Sequence, residues 1–178
     1  MEKREIRQQV RGRIALLTAG ERGQKALTLA RRVMAEPAWH GARTVLLYAA
    51  LADEIDLGPL LQAALAEGKR VALPVVLPAG GMELREYRPE ATARRGVYHI
   101  EEPDASCRLV APEEVDLALV PGRAFTAEGL RLGRGKGYYD RMLPRLGGLK
   151  WGVCFGCQLV ETLPAEPWDV AMDRVLSE

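Results

Sequence analysis

The sequence lacks any long hydrophobic run. Its longest apolar stretches are only a few residues, such as 45–51, whereas a membrane-spanning helix needs about 20. The first seven residues, Met-Glu-Lys-Arg-Glu-Ile-Arg, also lack the apolar core of a signal peptide. We therefore expect a cytoplasmic protein with no membrane partner.

Cysteine and histidine are scarce as well. The chain has 3 cysteines and 2 histidines, and an odd cysteine count in a chain of this size indicates free thiols in a reducing compartment. Cys154 and Cys157 have the spacing of a redox or metal half-site. Zinc would need a second such pair, and Cys154 lies in an apolar stretch, so we interpret it as a small core residue. His40 and His99 belong to no motif.

Neither sign of charge is in excess. The 25 basic residues are balanced by 24 acidic ones, for a net charge of +1, which argues against bulk binding to nucleic acid. A hydrophobic content of 48% and a charged content of 28% are those of a folded globular protein rather than a disordered one. For 178 residues we expect a single domain over 1–178, and we predict a monomer.

Strands and helices are predicted to alternate along the chain. Apolar runs predict strands at 44–50, 70–76, 82–87, 116–121, 151–155 and 173–176. Apolar residues at helical spacing predict helices at 3–17, 22–34 and 57–66. Residues 88–106, rich in charge and turn formers, predict a loop. The pattern indicates a Rossmann-like, three-layer α/β/α fold with a mostly parallel central sheet, in which ligands bind at the carboxyl ends of the strands.

One segment concentrates features that packing does not require. Residues 131–140 read Arg-Leu-Gly-Arg-Gly-Lys-Gly-Tyr-Tyr-Asp. Glycines at 133, 135 and 137 let backbone N–H groups approach a ligand, and three cations supply positive charge, a combination typical of a phosphate cradle. The spacing fits neither the dinucleotide fingerprint nor a Walker A loop. A helix is predicted from Tyr138, and its N-terminus would favour an anion. A flexible basic turn is the alternative.

Two cations of the first helix lie on or beside its apolar stripe. The stripe comprises Ile6, Val10, Ile14 and Leu17, and Lys3 and Arg7 are one turn apart next to it. Cations directed toward the body of the protein could clamp a polyphosphate. Alternatively, both side chains extend along their aliphatic stems to the surface.

The glycine-rich segment belongs to a longer signature. The chain reads Pro-Gly-Arg-Ala-Phe at 121–125 and Gly-Leu-Arg-Leu-Gly-Arg-Gly-Lys-Gly-Tyr-Tyr-Asp at 129–140. On these residues it resembles the 5-formyltetrahydrofolate cyclo-ligase family, also called 5,10-methenyltetrahydrofolate synthetases. Further landmarks of that family follow in order over most of the chain, at Lys3 with Arg7, 53–56, 73–74, 102–103, 168–169 and 173–176.

The resemblance implies an enzyme that closes a ring with ATP. It would convert 5-formyltetrahydrofolate, a reduced folate, to 5,10-methenyltetrahydrofolate, with Mg²⁺ and with release of ADP and phosphate. Phosphorylation of the formyl oxygen would create a leaving group, and a neighbouring folate nitrogen would then attack. Such chemistry depends on positioning and charge neutralisation more than on a protein nucleophile.

The resemblance also assigns residues to roles. For ATP it implies Lys3, Arg7, Arg131, Leu132, Gly133, Arg134, Gly135, Lys136, Gly137, Tyr138 and Tyr139. For the folate it implies Ala49, Glu54, Arg134, Gly135, Lys136, Gly137 and Tyr138. The catalytic set is Arg134, Lys136 and Tyr138, and the magnesium ligands are Asp140 and Asp173, whose carboxylate oxygens are ligands that Mg²⁺ prefers.

Alternatives remain at several of these positions. Asp140 and Asp173 could instead cap a helix or form surface ion pairs, and Glu54 could be a solvated loop carboxylate. Leu57 stands where many members have threonine, and Val75 where a cation is frequent, which leaves the edges of the folate pocket open. An ATP-binding relative that acts on another formyl or carboxyl acceptor is the second hypothesis. A non-enzymatic module that holds RNA or a nucleotide is the third.

Overall fold

The computed structural model describes residues 2–96 and 98–178. Within these ranges the helices are α1 (Lys3–Ala15), α2 (Ala19–Met34), α3 (Pro37–Gly41), α4 (Gly58–Ala66) and α5 (Tyr138–Met142). The strands are β1 (Thr44–Leu46), β2 (Arg70–Val76), β3 (Met82–Glu86), β4 (Thr92–Arg95), β5 (Ile100–Pro103), β6 (Leu109–Val110), β7 (Leu117–Val120), β8 (Ala124–Phe125), β9 (Arg131–Leu132), β10 (Leu149–Cys154) and β11 (Arg174–Ser177).

Seven strands form the central sheet in the order β11-β10-β7-β1-β2-β3-β6. The five strands from β11 to β2 are mutually parallel, whereas β3 and β6 add an antiparallel edge. The predicted parallel pairing of 44–50 with 70–76 is confirmed, with Val45 opposite Val71. The mixed α/β class and the mostly parallel sheet predicted from the apolar runs are therefore confirmed.

Successive strand residues point to opposite faces of the sheet, and each face has its own core. Val45 and Leu47 join the core that α1, α2 and α4 cover, whereas Leu46 joins the core on the other face. The α1 stripe predicted from spacing is buried at Ile6, Val10 and Ile14. The second face is covered by α5 and the 3₁₀ turn that follows it, which contribute Met142, Leu143 and Leu146. The two helical layers are thus unequal in thickness.

Residues 88–106 are not a loop, contrary to the prediction. They contain a hairpin in which β4 pairs with β5 outside the main sheet, with Arg94 opposite Glu101. Both residues are exposed, and opposite charges across a two-stranded ribbon stabilise it without apolar alternation. A polar hairpin of this kind is indistinguishable from a loop by hydrophobic pattern.

A second short hairpin leads into the glycine-rich segment. β8 pairs with β9, and its turn places Gly129 at φ +101°, where an added Cβ would lie 2.4 Å from the carbonyl oxygen of Met172. The N–H of Met172 in turn donates to the Gly129 carbonyl at 2.8 Å. Glycine is therefore required here by both conformation and space.

We expect Gly129→Ala to lower the free energy of unfolding by about 3 kcal/mol, from backbone strain and overpacking together. Chemical denaturation would measure it. Gly23→Ala is the matched control, since Gly23 lies in α2 with nothing within 4 Å of an added Cβ. That change should stabilise the protein by about 0.5–1 kcal/mol. Equal stabilities for the two variants would contradict the hairpin geometry.

No helix within residues 2–96 and 98–178 is both long and apolar enough to cross a bilayer. Cys107, Cys154 and Cys157 are free thiols. Burial raises the pKa of the Cys154 thiol, as expected of a core residue rather than a redox centre. Trp39 and Trp151 are buried, whereas Trp168 is 69% exposed.

Candidate active site

A pocket opens at the carboxyl ends of β1, β2 and β7, where the fold class predicts a ligand. It is lined by Tyr48, Ala49, Leu51, Glu54, Pro74, Val76, Met82, Tyr98, Ile100, Pro121, Gly122, Arg131, Gly133, Arg134, Lys136, Gly137, Tyr138, Tyr139 and Asp140. Most of the residues that the sequence assigns to ATP and folate meet here. Lys3, Arg7, Leu132, Gly135 and Asp173 do not line the pocket.

The glycine-rich segment forms one wall of the pocket. It runs from β9 through Gly133–Gly137 into α5, with Gly135 at φ +102° and Gly137 at φ +69°. Both values lie in the left-handed region that glycine adopts without strain. Leu132 is buried in the core beneath the loop, so its side chain anchors the loop. The predicted helix start at Tyr138 is confirmed. Because α5 has only five residues, its dipole adds little to the attraction of an anion.

Arg7 reaches the loop directly. Its Nε donates to the carbonyl oxygen of Gly133 at 2.8 Å, so the alternative that it extends only to the surface is wrong for Arg7. Lys3, one helical turn away, places its Nζ 3.5 Å from Asp169 and 3.8 Å from Glu166. Both cations are half-buried. The first helix therefore places Arg7 against the glycine-rich loop, whereas the described contacts of Lys3 are with two carboxylates.

Arg131 ties the loop to the helix that follows. Its side chain is only 4% exposed; Nη2 pairs with Asp140 at 2.6 Å and Nη1 donates to the Pro121 carbonyl at 2.9 Å. The guanidinium also lies 5.5 Å from the ring centre of Tyr139. Burial raises the pKa of Tyr139, which keeps its phenol neutral. Arg131 is thus a structural cation inside the site more than a free one.

Glu54 is held by two hydrogen bonds rather than solvated. Its side chain is 8% exposed; Oε1 pairs with Arg134 Nε at 2.9 Å and Oε2 accepts from the Leu51 N–H at 2.9 Å. The alternative of a solvated loop carboxylate is therefore wrong. Glu54 lies in the turn after β1, where it faces the pocket together with Ala49.

A neighbouring carboxylate, Asp53, completes an ion-pair network. It pairs with both Arg134 and Arg123. Burial would raise the pKa of Asp53, but hydrogen bonds and charge from Arg134 and Arg123 outweigh that effect and lower the pKa from 3.8 to about 2. The ionised carboxylate is therefore strongly favoured in the folded protein.

The lowered pKa predicts how stability changes in acid. A depressed folded-state pKa contributes stability that is present above the unfolded value of 3.8 and is lost as pH falls toward about 2. We expect the stability difference between wild type and Asp53→Asn to shrink over that interval. Denaturation at a series of pH values would measure it. Asp56→Asn is the control, because the Asp56 carboxylate accepts a hydrogen bond from the Gly58 N–H, and the side-chain oxygen of asparagine can accept the same bond. A difference independent of pH would contradict the ion-pair account.

Asp140 can take part in a magnesium site, but not as part of a protein cage. Its side chain lines the pocket and is 43% exposed, with one oxygen on Arg131. In the described part of the chain, no three His, Cys, Asp or Glu side chains cluster closely enough to hold a metal ion. Mg²⁺ is usually bound by one or two carboxylates plus phosphates and water, so a lone carboxylate fits this ion where a nucleotide supplies the phosphates.

Asp173 is not brought to this site. It precedes β11 and its Oδ2 accepts from the Lys150 N–H at 2.7 Å, at the amino ends of β10 and β11. The register places it about three residues, or roughly 10 Å, before Pro121 along the strand direction, and two strands across the sheet. Asp140 lies near Pro121, because the Arg131 guanidinium bonds both, so one Mg²⁺ cannot bridge the separation from Asp173. The Asp173 carboxylate accepts a hydrogen bond at a strand end, which differs from the helix cap and the surface ion pair given as alternatives.

Several apolar residues of the pocket were not predicted. They come from β2, β3 and the β4–β5 hairpin, and comprise Pro74, Val76, Met82, Tyr98 and Ile100. The sequence signals were weak: 73–74 is a landmark of the family, the folate-pocket edge was left open at Val75, and Tyr98 and Ile100 are apolar residues in an otherwise polar segment. These residues give the pocket an apolar wall facing a wall of cations, with Glu54 between them. Such a site can hold a polyphosphate beside a flat, partly apolar ring.

Comparison with known proteins identifies related chains. The profile of the 5-formyltetrahydrofolate cyclo-ligase family matches residues 1–178. The chain is 37% identical over 163 residues to the 5-formyltetrahydrofolate cyclo-ligase of Escherichia coli, covering 88% of each chain. It is 31% identical over 181 residues to that of Haemophilus influenzae, covering 98% of this chain and 97% of the relative.

Solved structures are similar as well. The structure of Aquifex aeolicus 5,10-methenyltetrahydrofolate synthetase matches with a TM-score of 0.87 and 37% identity, covering 98% of this chain and 89% of that chain. A synthetase from Mycoplasma pneumoniae shares the fold, with a TM-score of 0.81 at 23% identity over 99% of each chain.

Proposed function

Because the chain belongs to the 5-formyltetrahydrofolate cyclo-ligase family, we propose that it uses ATP and Mg²⁺ to convert 5-formyltetrahydrofolate to 5,10-methenyltetrahydrofolate, releasing ADP and phosphate. One observation carries the ATP-dependent part of this proposal. A single pocket has a cationic glycine-rich loop on one side and apolar side chains on the other, with the ionised network around Glu54 at the boundary.

The loop would hold the nucleotide's phosphates. Arg134 and Lys136 line the pocket, and Arg7 contacts the loop from behind. Gly133, Gly135 and Gly137 leave the backbone N–H groups open to an anion because no Cβ covers them. Lys3 lies one turn along α1, where it pairs with Asp169 and Glu166, and it would contact the phosphates by exchanging these partners.

The folate would occupy the apolar side. Its pterin ring would pack against Pro74, Met82 and Ile100 and donate N–H groups to Glu54. Glu54 keeps acceptor capacity for this, because each carboxylate oxygen has two lone pairs and accepts one described hydrogen bond. Ala49 contributes surface only. This arrangement would bring the formyl group toward Arg134.

The reaction then needs one phosphoryl transfer and one ring closure. The formyl oxygen attacks the γ-phosphorus, the bond from phosphorus to the ADP oxygen breaks, and the formyl carbon becomes an activated imidate-like centre. The neighbouring folate nitrogen attacks that carbon and loses its proton, and the carbon–oxygen bond breaks to release phosphate. Arg134 and Lys136 would stabilise negative charge on the phosphoryl group, and Tyr138 would border it.

Asp140 would hold Mg²⁺ together with the nucleotide's phosphates. The ion supplies charge neutralisation during phosphoryl transfer when bound. The remaining magnesium coordination would come from phosphate oxygens and water, since the described residues offer no acidic cluster.

The proposal also concerns setting and partners. We propose a monomeric cytoplasmic enzyme whose partner is a reduced folate, without nucleic acid or membrane. The near-neutral net charge of +1 supports the exclusion of nucleic acid, since bulk binding to phosphate backbones relies on a positive field.

Spectrophotometry of the purified protein tests the function. Incubation with 5-formyltetrahydrofolate, ATP and Mg²⁺ should produce the near-ultraviolet absorbance of the methenyl product with one ADP released per ring closed. Omission of ATP or chelation of Mg²⁺ should abolish the signal. ATP hydrolysis without formation of the methenyl product would overturn the folate assignment. ATP turnover that occurs only with another formyl or carboxyl compound would overturn it as well.

A further inference from the structure

One carboxylate in the network has two arginine partners of different character. Arg123 is a buried cation, with its side chain 9% exposed, and its Nη1 pairs with Asp53 Oδ2 at 2.6 Å. Arg134 lies between two glycines of the glycine-rich loop, and its Nη2 pairs with the other oxygen, Oδ1. Asp53 therefore links a fixed part of the core to the loop.

The fixed partner is held firmly on its own side. The Arg123 N–H donates to the Leu132 carbonyl at 2.6 Å, and the Arg123 carbonyl accepts from Gln158 Nε2 at 3.2 Å. Gln158 is itself buried. These bonds fix the Arg123 backbone, and the burial of its side chain restricts where the guanidinium can lie, so Arg123 anchors the Asp53 carboxylate.

The loop partner depends on that carboxylate. Three glycines between 133 and 137 give the loop much conformational freedom, and an arginine side chain on it has about 2 kcal/mol of rotamer entropy to lose when it is held in place. Most described contacts that hold the loop are made by side chains: Arg7 on Gly133, Arg141 Nη1 3.5 Å from the Lys136 carbonyl, and Arg134 on Asp53 and Glu54. Asp53 and Glu54 together set where the Arg134 guanidinium lies, and Asp53 is the one of the two that a second arginine anchors.

We infer that Asp53 is a positioning residue: anchored by Arg123, it holds Arg134 beside Glu54, at the boundary between the phosphate side and the ring side of the pocket. The inference rests on the proposed function for its catalytic consequence. Arg134 would be preorganised where charge develops during phosphoryl transfer, so that no binding energy is needed to order it at that moment. Asp53 itself need not touch either substrate.

Limited trypsin digestion of the unliganded protein tests the positioning without reference to activity. Trypsin cleaves after arginine and lysine, so Arg134 and Lys136 report the loop's accessibility. In Asp53→Asn we expect cleavage after Arg134 and Lys136 to be about tenfold faster. Loss of one hydrogen bond between charged groups should raise the population of molecules with an open, cleavable loop by about that factor. Asp56→Asn, on the same turn, should leave the rate unchanged. Unchanged loop cleavage in folded Asp53→Asn would overturn the inference.

A double-mutant cycle tests the catalytic consequence. Asp53→Asn should lower kcat about tenfold with a smaller change in KM for ATP. In an Arg134→Gln background, which has no cation to pair with Asp53, Asp53→Asn should change kcat by less than about twofold, because the interaction is already gone. A purely structural role predicts equal factors in both backgrounds, and that result would overturn the inference.

Removal of Asp53 leaves Arg123 buried without this partner, which could prevent folding. The variant Arg123→Met with Asp53→Asn removes both charges together, and it should show the same faster loop cleavage and lower kcat as Asp53→Asn. Wild-type kcat in this folded double variant would contradict the inference. Absence of ring closure by wild type would instead refute the proposed function, while the trypsin comparison would still decide whether Asp53 holds the loop.

Discussion

Replacement of Arg134 with alanine is expected to lower kcat/KM for ring closure by about 10³-fold, the range found for an arginine that stabilises a transferring phosphoryl group. The physical reason is its position. Arg134 lines the pocket from the glycine-rich loop beside Glu54, and its guanidinium is ordered by two carboxylates before any ligand arrives. The loss should fall mainly on kcat, since charge develops at this point only during the transfer.

Steady-state kinetics with ATP and 5-formyltetrahydrofolate each varied would measure this effect. Arg88→Ala is the matched control, because Arg88 is an exposed arginine whose partner is the exposed Glu90; surface pairs of this kind contribute little. Circular dichroism should show both variants folded. A folded Arg134→Ala enzyme within about tenfold of wild type would contradict the proposed role, since the expected factor is about 10³.

Lys136→Ala is expected to weaken ATP binding by about 10- to 100-fold, the equivalent of one or two hydrogen bonds to charged groups. Lys136 is an exposed residue on the loop and lines the pocket. Its ammonium would contact the phosphates, and water cannot replace that contact at equal energy. The effect should appear as a raised dissociation constant for the nucleotide.

Isothermal titration of ATP into each protein would measure the binding constant. Lys150→Ala is the control, because Lys150 lies at the amino end of β10 with its Nζ 3.3 Å from the Gly148 carbonyl. Titration with tripolyphosphate separates phosphate contacts from base contacts. Lys136→Ala should lower the affinity for ATP and the affinity for tripolyphosphate by similar factors. Unchanged affinity for both would refute the phosphate-cradle interpretation of the loop.

Hydrophobic pattern predicted the central sheet because buried parallel strands are nearly continuous apolar runs. The strand predicted at 70–76 has the same bounds as β2, and the first helix buries its predicted stripe. Pattern failed at β4 and β5, where charged residues face each other across an exposed ribbon. The pattern also overestimated the length of β1. The strand ends at Leu46, and the apolar residues that follow it up to Ala50 turn toward the pocket.

The site divides in a similar way. The glycine-rich segment could be interpreted from sequence because its glycines, cations and Asp140 are contiguous. Tertiary structure was needed for every long-range relation, as with Arg7 on Gly133 and Arg134 on Glu54. It also separated Asp173 from Asp140, since a residue before a parallel strand and a residue beyond the end of another lie at opposite edges of the sheet.

The sequence by itself determined the class of fold, the prediction of a phosphate cradle at 131–140 and the resemblance to one family, because each depends on residues that are neighbours along the chain or periodic within an element. Only the tertiary structure decided which carboxylates reach that loop. Asp53 and Glu54 pair with Arg134 across 80 or more residues of chain, and such pairing depends on strand order and loop path, which no local pattern encodes.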